Sequence, residues 1–205
     1  VQHLCSTALP SKYVYEDEIG DIVNHIYVIK NMGPSSISEA MVHILWPSFN
    51  DNGEHLLYLL GNDYNQKKAV CEQIKNLNPL AVKTEGSWDY GTWAAHIDRS
   101  IVEFEPELAS CGSRCTVIKC TIGPLEKDES VLFKIRSRLF TETQVKNYAE
   151  KVKISSKLVT RVTRLPFLVP EEHLAFQSHS VTTTVIPSEP GEVSKAIKLI
   201  LHTIQ

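Results

Sequence analysis

The chain lacks most of the features by which a sequence declares its chemistry. No uninterrupted apolar run approaches the ~20 residues that cross a bilayer, and the opening VQHLCSTALP has no basic-then-apolar layout of a signal peptide. Charge of one sign is also missing. The 21 Lys+Arg stand against 24 Asp+Glu, a formal net charge of −3, so there is no electrostatic footprint for nucleic acid or anionic lipid. No asparagine begins an N-x-S/T acceptor, which by itself leans towards the cytosol. Nucleophile elbow, glycine-rich phosphate loop, zinc-binding helix and EF-hand loop are all absent from the text. The eight histidines are dispersed, and the alternation around His25 and His43 assigns them to sheet faces rather than to catalysis or ligation.

What is present is an ordinary globular composition, 42% apolar and 22% charged over 205 residues, with enough chain to bury a core unaided. Cysteine is the informative residue. Cys5, Cys71, Cys111, Cys115 and Cys120 are odd in number, with three clustered in SCGSRCTVIKC. Their spacing is wrong for zinc. Scattered reduced thiols and disulfides both remain open, the first implying the cytosol and the second an oxidising compartment. Cys111 and Cys115 enclose the small or polar Gly112, Ser113 and Arg114, which suits a tight loop. In TVIKCTI, Ile118, Cys120 and Ile122 share one strand face, pointing Cys120 into a core where a bridge to distant Cys71 has room. Spacing alone does not set the connectivity.

The hydrophobic pattern has period 2, broken by turn chemistry every ten to twenty residues, and predicts an all-β chain: an antiparallel two-sheet β-sandwich. DIVNHIYVIK over residues 21–30 is β-branched and aromatic. In EAMVHILWP, Val42, Ile44 and Trp46 face one way and Met41, His43 and Leu45 the other. HLLYLL over 55–60 is a continuous apolar run after His55, as in a strand covered on both faces. ESVLFKIRSRLF sets Val131, Phe133, Ile135 and Leu139 against an outward polar face of Lys134, Arg136 and Arg138. VKISSKLV and SVTTTVI supply two more strands. The acidic group Glu16, Asp17, Glu18 and Asp21 reads as a solvated approach to the first strand, since cation loops need ligands alternating around a glycine turn. Residues 83–100 read as a long loop whose Trp88, Tyr90 and Trp93 form a possible interaction surface or pack on the loop itself. After Pro187, Pro190 and Gly191 the spacing turns helical, predicting a short C-terminal amphipathic helix. The division expected is therefore an N-terminal segment 1–20, a sandwich 21–187 and an atypical tail 188–205. No catalytic constellation can be assembled, so a binding or structural role outranks an enzyme.

The order of segments carries more than any one of them. The run IGDIVNHIYVIKNMGPSSISEAMVHILWP, then LLYLL, a lone Cys71, Asn78-Pro79-Leu80, the triplet Cys111, Cys115, Cys120, and SVLFKIRSRLFTET resembles the membrane-proximal leg domain, the second calf domain, of an integrin alpha subunit. Its most specific pieces are Asn31-Met32-Gly33-Pro34-Ser35, Leu45-Trp46-Pro47 and Arg138-Leu139-Phe140 followed by Thr141-Glu142-Thr143. Within that family it is most similar to the class that binds arginine-glycine-aspartate ligands. The resemblance implies a sandwich without cofactor, metal or catalysis, in the lower leg of a heterodimeric adhesion receptor. The partners implied are an integrin beta subunit, and a matrix ligand bound by a head outside this chain. It also implies pairing of Cys71 with Cys120 and of Cys111 with Cys115, leaving Cys5 unassigned. Family members are often cleaved where the 83–100 loop lies, but this loop has no dibasic run. The family continues into a transmembrane helix where EVSKAIKLILHTIQ stands here, so the missing export signal and anchor are expected to lie outside this chain. The contrasting expectation is a cytosolic sandwich module that binds a partner through the 83–100 loop.

Overall fold

A computed structural model describes residues 12–85, 111, 114–147, 151–170, 173–174, 176–186 and 202–204. The strands run in the order β1 (Ile22–Lys30), β2 (Glu39–Pro47), β3 (Leu57–Tyr64), β4 (Ala69–Cys71), β5 (Cys115–Ile122) and β6 (Ser130–Leu139). After helix α1 (Thr141–Asn147) come β7 (Val152–Arg164), β8 (Phe176–Val185) and β9 (His202–Ile204). They form two sheets, β3-β6-β1-β9 and β4-β5-β2-β7-β8. All pairs are antiparallel except β1 with β9.

Alternation explains how the sheets meet. Val23, Tyr27 and Ile29 of β1 face Val42, Ile44 and Trp46 of β2, Ile118 and Ile122 of β5, and Ile154 and Leu158 of β7 in one core. Trp46 is fully buried and its indole Nε1 donates to the Leu57 carbonyl at 3.1 Å, tying β2 of one sheet to β3 of the other.

A second, smaller core lies on the outer side of β3. Tyr58 and Leu60, which alternate away from Leu57 and Leu59, pack with Ile19, Val82 and Phe140. This is why residues 57–60 are apolar throughout: the main core takes one face, and the lead-in segment 12–20 together with residues 78–82 covers the other.

The expected C-terminal helix needs correction where the structure describes it. His202–Ile204 is a strand paired parallel to Tyr27–Ile29 of β1. Helical spacing in a short segment is a weak force beside a free sheet edge, whose unpaired N–H and C=O groups recruit any strand that reaches them. The rest of the tail lies outside the described residues. The one described α-helix, α1, follows Phe140 instead, and its seven residues opened by Thr141 are too few to show a hydrophobic period.

Candidate functional site

Three arrangements of polar side chains merit a functional reading. The first fastens the lead-in segment. A single 3-10 turn, Glu16–Glu18, carries Glu16, which is only 1% exposed although it sits in an acidic stretch. Its Oε1 accepts from Arg136 Nη2 at 2.5 Å and from the Glu85 amide at 2.9 Å, while Oε2 lies 3.7 Å from Arg138 Nε. Arg138 Nη1 donates to the Gly20 carbonyl at 3.0 Å. Around this cluster, Glu16 N donates to the Lys83 carbonyl and Lys83 N to the Val14 carbonyl, at 3.1 and 2.9 Å. Thr141 N donates to the Ile19 carbonyl at 3.1 Å. Glu18 turns back to accept from the Val14 and Tyr15 amides at 2.6 and 2.9 Å. Burial pushes the Glu16 carboxyl up, but the Arg136 hydrogen bond, the Glu85 amide and the two guanidinium charges outweigh it and hold the group below the usual carboxylate range.

The sequence predicts a solvated Glu16 and an outward polar face for Arg136 and Arg138; the structure corrects both. The outward face of β6 adjoins the outward face of β3, and the lead-in segment that covers β3 covers the arginines as well. The signal was in the text: a strand apolar on both faces announces a cover, and a cover over β3 must reach its neighbour.

The second arrangement crosses the sandwich. His25 Nδ1 lies 2.5 Å from Ser156 Oγ, which is also 2.5 Å from the Tyr27 hydroxyl, and His25 Nε2 lies 2.8 Å from Thr183 Oγ1. A serine beside a histidine invites a catalytic reading. Here Ser156 is 0% and His25 1% exposed, no carboxylate is among the ring's hydrogen-bond partners, and burial lowers the His25 pKa to about 4. A nucleophile that no substrate reaches performs no acyl transfer. The group joins β1 of one sheet to β7 and β8 of the other, with the His25 ring edge-on to Trp46 at 5.0 Å. The same holds for His43, buried on the opposite face of β2, whose pKa is lowered to about 4 by burial and then by the Lys119 charge.

The third is the sulfur chemistry. Cys71 on β4 stands directly opposite Cys120 on β5, both buried, and the two are joined; Cys111 and Cys115 are joined at the start of β5. Cys5 and the aromatic set Trp88, Tyr90 and Trp93 lie outside the described residues. Among the described residues, no three His, Cys, Asp or Glu side chains gather as a metal ion would need, and no helix is long and apolar enough to cross a membrane.

A family described as integrin alpha Ig-like domain 3 matches residues 6–188. The chain belongs to the integrin alpha family. It is 30% identical to integrin alpha-8 of Gallus gallus over 193 residues, which is 86% of this chain and 18% of that protein. It is 27% identical to integrin alpha-V of the same species over 185 residues, covering 83% and 17%. Integrin alpha pat-2 of Caenorhabditis elegans is 40% identical over 72 residues, 33% of the chain and 6% of its own length. The chain thus spans less than a fifth of the length of these integrins. The match places it as an extracellular leg domain of the family, and the cytosolic interaction module finds no support.

Proposed function

We propose that this domain is a load-bearing joint in the lower leg of an integrin alpha subunit of the arginine-glycine-aspartate-binding class. In this reading it links a ligand-binding head to the membrane at the cell surface, packs beside an integrin beta subunit, and passes conformational signals in both directions. It does so without catalysis or cofactor. The observation that supports this best is the Glu16 cluster. A leg domain receives force through the chain that leads into it, and here that chain is clamped to β6, to Lys83 and to the start of α1 by a buried carboxylate, two guanidiniums and backbone hydrogen bonds. The Cys71 to Cys120 bridge belongs to the same reading, holding an edge strand of three residues to its sheet.

The test is co-expression of the full-length alpha subunit carrying this domain with an integrin beta subunit. Surface heterodimer is expected, with Cys71 linked to Cys120 on nonreducing peptide mapping. Failure to pair with any beta subunit, or recovery of both cysteines as free thiols from surface material, overturns the reading.

A further inference from the structure

Asn52 and Gly53 form the only Asn-Gly pair in the chain, at the tip of the connection between β2 and β3. Asn50 builds the turn. Its carbonyl accepts from the Gly53 amide at 3.0 Å, and its side-chain Oδ1 accepts from the Asn52 and Glu54 amides at 3.0 and 2.9 Å. Its Nδ2 donates to Glu54 at 3.0 Å, and the residue is 8% exposed. An asparagine that opens a turn and a glycine that closes it are what such turns require. Asn52 contributes only its backbone: its side chain stands in solvent and makes no hydrogen bond among the described residues.

An asparagine side chain is open to attack by the backbone nitrogen of the residue that follows it, at a rate set by how closely that nitrogen can approach. Gly53 has no Cβ, holds φ +77°, and no heavy atom lies within 4 Å of where a Cβ would stand, so the approach is unobstructed. The one bond from Gly53 N to the Asn50 carbonyl must open first. Residues 51–53 are all exposed, so that opening is local and costs far less than unfolding. The other asparagines lack this combination. Asn31 is buried and engaged with Ser35, Leu125 and Gly33 through both side-chain atoms. Asn78 precedes Pro79, whose nitrogen carries no hydrogen, and the rest precede residues with a Cβ in the way.

We propose that Asn52 is a site of spontaneous, enzyme-free modification, converting with age to isoaspartate and aspartate and so opening the β2 to β3 turn. Gly53 N loses its proton and bonds to Asn52 Cγ; the Cγ–Nδ2 bond breaks and the side-chain nitrogen leaves as ammonia, closing a five-membered imide. Water then opens the ring. Addition at Cγ restores the ordinary backbone with an aspartate side chain. Addition at the main-chain carbonyl carbon of residue 52 leaves isoaspartate, whose backbone runs through Cγ and is one carbon longer. That extra carbon carries the Gly53 and Glu54 amides off Asn50 and strips a buried side chain of its partners. Two anchors sit on the same turn. Asp51 pairs with Arg114 at 2.7 Å, at the entrance to β5, and Glu54 pairs with Lys146 of α1. Isoaspartate loosens both ties, whereas aspartate leaves them in place.

The experiment ages the full 205-residue chain at neutral pH and body temperature, then digests it and maps the peptides by mass. The peptide holding residue 52 is expected to gain one mass unit and to divide into two chromatographic forms, one of them a substrate for isoaspartyl methyltransferase. Conversion should outrun that of any other asparagine at least about tenfold, a barrier lower by about 1.4 kcal/mol. It should also quicken as pH rises, because Gly53 N must give up its proton. Hydrogen exchange at the Asn50 and Glu54 amides should accelerate as isoaspartate accumulates, while β2 and β5 amides keep their protection. Asn52→Gln should remove the mass gain with the fold unchanged, and freshly purified Asn52→Asp should leave the Asn50 and Glu54 amides protected. No mass gain at residue 52, equally fast conversion at another asparagine, or isoaspartate without faster exchange in the turn overturns the proposal. So does an Asn52→Asp chain whose turn is already open, since added charge and not the longer backbone would then be the cause. The chemistry is independent of the leg-domain reading, and its failure leaves that reading standing.

Discussion

Glu16 compensates the charge of two buried guanidiniums, Arg136 and Arg138, and Glu16→Gln leaves them facing a neutral amide. Losing one partner of a buried ion pair costs more than the pair itself is worth, about 3 kcal/mol or more. Chemical denaturation of Glu16→Gln should show a loss of that order, and a loss under 1 kcal/mol would make the cluster incidental. The acid response follows from the same groups. The depressed Glu16 pKa gives stability that is present above its unfolded value and is lost as pH falls through the lower folded value. His25 acts earlier. With its folded pKa lowered from 6.5 to about 4, the unfolded chain takes the proton first, so roughly 3 kcal/mol is lost as pH drops from 6.5 to 4 and none above that window. An NMR titration should find the His25 ring neutral at pH 5; a midpoint near 6.5 would contradict its sealed position.

Elements in this fold depend on where one passes another. Gly20 has φ +147°, and a Cβ there would lie 2.2 Å from the Leu139 carbonyl oxygen, so Gly20→Ala must move the lead-in segment off β6. A loss of about 2 kcal/mol is expected, measurable by thermal unfolding; an unchanged midpoint would show that the close approach is dispensable. The Cys71 to Cys120 bridge spans 49 residues of sequence. Replacing both with alanine should cost roughly 4 kcal/mol on the chain-entropy account, while replacing Cys111 and Cys115 costs less because their loop is short. A reversed order would mean that the small loop, and not edge-strand closure, carries the stability. Most elements are legible in the sequence. Residues 130–139 alternate so cleanly that strand, inward face and turn could be read together, and the inward side of Cys120 followed from Ile118 and Ile122 beside it. His202–Ile204 was not legible: its partner is β1, more than 170 residues earlier, and no local period reports a free edge that far away.

At the scale of the whole molecule, the described residues form two cores with different duties. The larger holds the sheets together, and the smaller holds the lead-in segment against β3 and β6. Hydrogen exchange should separate them. Glu16→Gln is expected to speed exchange at the Leu139 and Thr141 amides, which donate to Asp21 and Ile19, while β2 and β5 amides stay protected; uniform acceleration would mean that both cores open as one unit. The sequence alone determined the sandwich, the strands lining its main core and the family, because alternation and segment order are local properties repeated along the chain. Only the tertiary structure decided that Arg136 and Arg138 are inside, that Ser156 meets His25, and that the final strand joins β1. Each of those depends on a segment remote in sequence arriving to cover or pair, and burial that comes from another part of the chain leaves no period in the residues it buries.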